Sequence, residues 1–120
     1  TRQWWTTGRL GDVATPPETP VSVLVSDRTF SSGEALAYHL QSRGRGRVVG
    51  QRTPGAADHV TPVRLSGHVR APVPEARVRD AVTGTNWEGT GVVPDLPCEP
   101  PEALKAAIEE LATRLPGSGA

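Results

Sequence analysis

Val21-Ser22-Val23-Leu24-Val25-Ser26-Asp27-Arg28-Thr29-Phe30-Ser31-Ser32-Gly33-Glu34-Ala35-Leu36 is the stretch around which the rest of this 120-residue chain arranges itself. The apolar run 21–25 reads as a strand. It breaks into a polar corner and then into helical spacing, with Leu36 and Leu40 one turn apart, Ala35 and Ala37 flanking, and Gly44 as the stop. The pattern predicts a helix to about Arg43 and a second, parallel strand beginning at Val48-Val49, so that 21–49 form one β-α-β unit. Such a corner puts Ser31 and Ser32 at a helix start, where N–H groups without intrahelical partners and the positive end of the dipole collect. Local features leave two readings of Ser31 open. It is an N-cap, or it is a nucleophile whose oxyanion the N–H groups of the turn would hold.

Outward from that corner the chain is loop-rich. Residues 1–13 carry adjacent tryptophans, Trp4 and Trp5, whose side chains on a strand would face opposite ways. A Pro-rich connector, 14–20, is expected to be stiff and extended. Ser42-Arg-Gly-Arg-Gly-Arg47 reads as a helix end with cations near the negative end of the dipole. Val60 to Leu65, the Ser66-Gly67 turn and His68 to Val73 read as a short hairpin. A short strand is expected over 91–96. Pro100-Pro101-Glu102 opens a final helix with Leu104, Ala107, Ile108, Leu111 and Leu115 as its apolar stripe, and 116–120 form a flexible tail.

Composition excludes several classes of function. Formal net charge is zero and no basic cluster is interleaved with aromatics, so nucleic-acid binding has no support. No apolar run approaches the 18 or so residues of a membrane span. Cys98, the single cysteine, can form no internal disulfide, and it reads as a solvated or half-buried thiol beside prolines. No group of His, Cys or carboxylates shows metal-ligand spacing, and no cofactor is called for.

Three separated pieces carry a resemblance. Val23-Leu-Val-Ser-Asp-Arg-Thr-Phe-Ser-Ser-Gly-Glu34, then Gly46-Arg-Val-Val-Gly-Gln-Arg-Thr53, then Asn86-Trp-Glu-Gly-Thr-Gly-Val-Val-Pro-Asp95, in that order and spacing, resemble the S41 peptidases. That family contains the tail-specific (C-terminal processing) proteases, the tricorn core proteases and the interphotoreceptor retinoid-binding protein repeats. The resemblance runs from about Arg2 to Pro97 and is closest to the last branch. It implies an α/β fold of the crotonase/ClpP-like kind, in β-α-β layers with a short hairpin and a C-terminal helix. It places the opening Thr1-Arg-Gln-Trp-Trp-Thr in mid-domain. Residues 1–120 are therefore expected to be the C-terminal portion of a domain, partnered by its missing N-terminal part or by a second copy of the chain.

The resemblance also sorts the candidate site residues. A tail-specific protease places a lysine about 25 residues after its serine, and here that place falls at Ala56. The only lysine, Lys105, lies on the final helix, so a Ser–Lys dyad is not expected. The tricorn and retinoid-binding-like branch uses a histidine from an earlier part of the domain and a glutamate three residues before a Gly-Val-x-Pro-Asp ending. Gly91-Val-Val-Pro-Asp95 supplies that ending and Glu88 the carboxylate, whose task would be to accept the histidine's Nδ1–H. An exposed loop carboxylate is the other reading of Glu88. Ser31 would then be the nucleophile and the Ser32 N–H one oxyanion donor. His39 is eight residues along the helix from Ser31, roughly 12 Å at 1.5 Å per residue, and out of reach. His68 reads as a surface group of the hairpin. His59 and Val60 are candidate contacts to a substrate strand laid along 60–65. The family's substrates are polypeptides. The alternative is a non-catalytic retinoid- or fatty-acid-binding module. An enoyl-CoA hydratase-like enzyme on the same fold would need an adenine pocket and an oxyanion glycine loop that this segment lacks.

Overall fold

The computed structural model describes residues 15–115. The paired tryptophans and the 116–120 tail lie outside the described residues. Strand β1 (Ser22–Val25), helix α1 (Ser32–Ser42) and strand β2 (Arg47–Gly50) form the expected β-α-β unit, with β1 and β2 parallel and Val23 beside Val48. Strands β3 (His59–Arg64) and β4 (Arg70–Ala76) are an antiparallel hairpin, and β5 (Leu96–Pro97) adds in parallel to β2, so the sheet order is β1-β2-β5. A single 3₁₀ turn, Pro100–Glu102, leads into α2 (Ala103–Arg114). The mixed α/β class, the parallel sheet, the hairpin and the C-terminal helix are all as expected.

Strand β2 divides the core because side chains alternate across a sheet. Val48 packs with Val25, Ala37 of α1, Ala57, Trp87 and Val92 on one face. Val49 packs on the other face with Ala103 and Ala107 of α2. The helices therefore cover opposite faces of the parallel sheet. Polar ties anchor α2: the Ser22 hydroxyl donates to Glu110 at 3.0 Å and Arg114 donates to the Val21 carbonyl at 3.0 Å.

Three expectations need correction. Of the expected α2 stripe Ala107 is buried and Leu111 half-buried, but Ala103 joins the core in place of Leu104 and Ile108, which are 62% and 57% exposed. Small residues let the helix sit close to β2, which turns the larger side chains outward. In α1 likewise Glu34 and Ala37 are buried and Leu36 is exposed. Residues 91–95 make no strand. Pro94 has no N–H to give a ladder, and Asp95 instead takes the Val48 N–H on its carboxylate at 2.8 Å. The 15–20 connector is not fully extended, because Thr19 N–H closes a turn onto Pro16 at 3.1 Å.

The phase of the hairpin's hydrogen bonds follows from one contact. Leu65 N–H donates to the Val69 carbonyl at 3.0 Å, and the same register pairs Val63 with Ala71 and Thr61 with Val73. Antiparallel pairs alternate between bonded and non-bonded. The even-numbered residues therefore direct their main-chain groups outward: 60, 62 and 64 on β3, and 70, 72 and 74 on β4. Of these outward positions β4 keeps an N–H only at Arg70, because Pro72 and Pro74 have none, whereas β3 lacks one at Pro62 and keeps those of Val60 and Arg64.

Candidate active site

Ser31 is the N-cap of α1, six residues past the end of β1. The corner between them is a tight turn: Thr29 N–H donates to the Ser26 carbonyl, and Ser26 N–H to the Thr29 hydroxyl, both at 3.0 Å. Ser31 sits at φ 49° and ψ −109°, and among the described residues it alone, outside glycine, has positive φ. Holding an L-residue there costs about 1–3 kcal/mol, so the surroundings must fix it. Part of that restraint is the Ser31 N–H, which donates to Glu34 Oε2 at 2.8 Å. The Ser31 and Glu34 spacing is a capping box, although the hydroxyl itself makes no side-chain cap hydrogen bond of standard geometry. Ser31 and Ser32 are both exposed, and the Ser32 N–H has no acceptor among the described residues.

Glu34 is fully buried. Besides Ser31, its carboxylate accepts the Thr53 hydroxyl at 2.6 Å and the N–H groups of Gly55 and Ala56 at 2.7 and 2.9 Å. Burial alone would raise its pKa. The hydrogen bonds from Thr53, Ala56, Gly55 and Ser31 outweigh that and hold it below the ordinary value, so Glu34 is an anion at neutral pH. The next two N–H groups in the loop, those of Ala57 and Asp58, go to Glu88 Oε2 at 2.6 and 2.8 Å. Four consecutive main-chain donors are thus divided between two carboxylates, one behind Ser31 and the other Glu88. Gly89 N–H closes back onto the Gly55 carbonyl at 2.9 Å. Glu88 is exposed yet tethered, and its own N–H is fixed by the Asn86 side chain at 3.0 Å.

Beside this lies a second polar knot. Asp80 is buried and accepts from Arg43 at 2.8 Å, Val82 N–H at 2.9 Å and Thr83 N–H at 3.0 Å, with His39 Nδ1 2.7 Å away. Burial would raise its pKa, but the Thr83 N–H, Arg43, His39 and the Val82 N–H hold it far below the ordinary carboxylate range. His39 is engaged here, and Trp87 packs against the Tyr38 and His39 rings. His59 pairs with Glu75 at 3.0 Å on the exposed start of β3, His68 is exposed on the hairpin turn, and Lys105 is 81% exposed. Cys98 is a half-buried free thiol. It lies in an open groove of about 570 Å³ at the ends of β2 and β5, lined also by Gln51, Arg52 and Glu99, which contains neither Ser31 nor Glu88. Among the described residues no cluster of His, Cys and carboxylates is placed to hold a metal, and no helix is long and apolar enough to cross a membrane.

Sequence reasoning missed Glu34, Thr53 and Asp80. The Ser-x-x-Glu spacing was a usable signal for Glu34. Thr53 and Asp80 offered none, because their partners lie 19 and 37 residues away in the chain.

Residues 7–98 match the family model for peptidase family S41. The photosystem II D1 C-terminal processing protease is similar at 34% identity over 77% of this chain, with a TM-score of 0.56. The tricorn protease is similar at 27% identity over 73%, with a TM-score of 0.57. Mature CPAF complexed with lactacystin shares the fold at 23% identity over 78%, with a TM-score of 0.59. This chain spans 24%, 10% and 19% of those three proteins.

Proposed function

Because this chain belongs to peptidase family S41, we propose that it carries the nucleophile of a serine-type peptidase, Ser31, together with the carboxylate that orients its base, Glu88. The observation that carries the proposal is the shared loop 55–58, whose N–H groups hold Glu34 behind Ser31 and Glu88 beside it. Ser31 Oγ attacks the carbonyl carbon of a peptide bond. Its proton passes to Nε2 of a histidine supplied from outside this segment. Glu88 accepts that ring's Nδ1–H and stabilises the imidazolium. The Ser32 N–H donates to the oxyanion, with a second donor from a glycine outside the chain. The imidazolium then protonates the leaving amine, and water hydrolyses the acyl-enzyme by the same route.

The substrate is a polypeptide held as an added strand along β3. Two features support that edge. β3 begins immediately after the Ala57 and Asp58 donors that fix Glu88. Two of its three outward positions, Val60 and Arg64, keep an N–H without a partner among the described residues, Pro62 between them having none, whereas on β4 only Arg70 keeps one. His59 and Val60 would meet the substrate first. Neither His39 nor His59 replaces the missing base in this scheme, since each already faces a carboxylate of its own.

The test is a fluorophosphonate probe, which labels an activated serine. The chain supplied with the rest of its domain is expected to be labelled at Ser31. The isolated chain, Ser31→Ala and Glu88→Gln are expected to lose labelling by two or more powers of ten. Labelling of the isolated chain that disappears in His59→Ala would make His59 the base. Absence of labelling in the complete domain, with tight binding of a fatty acid or retinoid, would establish the lipid-binding alternative.

A further inference from the structure

We propose that the Glu34 carboxylate is a positioning group that locks the Ser31 corner and the Glu88 seat into one unit. The catalytic consequence rests on the reading of Ser31 and Glu88 as partners in the peptidase site. The coupling itself does not.

A carboxylate has about four lone-pair sites, and the structure fills four. Oε1 accepts Thr53 Oγ1 and Gly55 N–H, and Oε2 accepts Ser31 N–H and Ala56 N–H. The side chain is 0% exposed, so no water can stand in for a lost partner. One oxygen therefore holds the strained residue at φ 49° and, through Ala56, the very segment whose next two N–H groups hold Glu88. A plain capping glutamate would serve only its own helix. This one reaches 19 to 22 residues along the chain with three of its four bonds. A displacement of the loop by even 1 Å would move the oxygen of Glu88 relative to Ser31, and a reacting pair is sensitive to errors of that size.

The decisive variants are Glu34→Gln and Thr53→Val. Glutamine keeps the size but exchanges two acceptor sites for an NH₂ that would face N–H donors. Thr53→Val removes the hydroxyl that donates to Glu34 and also accepts the buried Val92 N–H at 2.8 Å. It serves if Glu34→Gln does not fold, with Thr53→Ser, which keeps both bonds, as its control. In Glu34→Gln, hydrogen exchange at Ser31, Ala57 and Asp58 is expected to accelerate together, whereas Glu88→Gln should release Ala57 and Asp58 only. In the fluorophosphonate assay on the complete domain, the maximal labelling rate of Glu34→Gln should fall about a hundredfold with probe affinity within threefold. Thr53→Val should show the same split at about tenfold. Since Glu34 acts in part through Glu88, the double variant Glu34→Gln/Glu88→Gln should lose clearly less than the product of the two single losses.

Unchanged exchange at Ala57 and Asp58 in a folded Glu34→Gln protein would overturn the proposal, as would strictly multiplicative rate losses in the double variant. If the wild-type domain is not labelled at all, the peptidase reading fails. The exchange experiment then decides the coupling by itself: joint acceleration sustains it and protected Ala57 and Asp58 amides end it.

Discussion

Replacing Asp80 by alanine tests the polar knot that carries the approach to Glu88. The carboxylate is fully buried and receives the Arg43 guanidinium, two main-chain N–H groups and the His39 ring. Hydrogen bonds to a charged group contribute about 1.5–3 kcal/mol each when buried. Arg43 and His39 are 45% and 41% exposed, however, so water recovers most of their interaction and each contributes only about 0.5 kcal/mol net. The Val82 and Thr83 amides add about 1 kcal/mol apiece. The expected loss is therefore about 3 kcal/mol at pH 7, or a fall of roughly 12 °C in melting temperature for a chain of 120 residues.

The pH dependence has a definite sign. The folded-state pKa of Asp80 is depressed, so its stabilisation is complete above the unfolded carboxylate value of about 3.9 and disappears as pH falls through the lower folded value. Urea and thermal unfolding followed by circular dichroism should give a wild-type-minus-variant gap that is flat between pH 5 and 7 and narrows below about pH 4. Glu109→Ala serves as control, since its contact with Lys105 is 3.9 Å long and both side chains are largely exposed. A gap smaller than about 1 kcal/mol, or one that widens in acid, would refute the assignment of Asp80 as an ionised anchor.

The glycines and Trp87 give sharper contrasts. A Cβ at Gly91 would lie 1.9 Å from the Thr53 carbonyl oxygen at φ 70°, so Gly91→Ala should cost more than about 3 kcal/mol in chemical denaturation or fail to fold. Gly44 has nearly the same φ, 61°, but open space around it, and Gly44→Ala should cost only about 1 kcal/mol in the same assay. Trp87 Nε1 is buried without a hydrogen-bond partner among the described residues. Trp87→Phe removes that orphan donor along with some volume, so the two effects offset and the midpoint should move by less than about 1 kcal/mol, against about 3–5 for Trp87→Ala.

The β-α-β unit was legible because its signals are local: a run of valines, a polar corner, and a glycine stop fall within 30 residues. The hairpin was legible from its Ser-Gly turn. What could not be read was which face of each helix is inside. The leucine stripe of α2 is the more apolar, yet the alanines pack, because the choice depends on how closely β2 can be approached. The strand over 91–96 failed at Pro94, where a carboxylate from Asp95 substitutes for ladder pairing. Ser31 and Glu88 were nominated through resemblance, and their roles rest on the function proposed above. Glu34 was not singled out, because its Ser-x-x-Glu spacing signals at most a helix cap and its three distant donors are brought to it only by the fold.

The prolines of the hairpin also limit how copies of this chain can associate. Fibrous growth by strand addition requires two competent edges, so that each newcomer offers the next a place to bind. Here the outer side of β4 presents Pro72 and Pro74 where a neighbour would need N–H groups. If the β3 of another molecule were to add at β3, the outermost row would be that molecule's β4, where only Arg70 keeps an N–H, and growth would be poorly supported beyond the pair. The proposed substrate strand would then be held at β3 without the hairpin becoming a template.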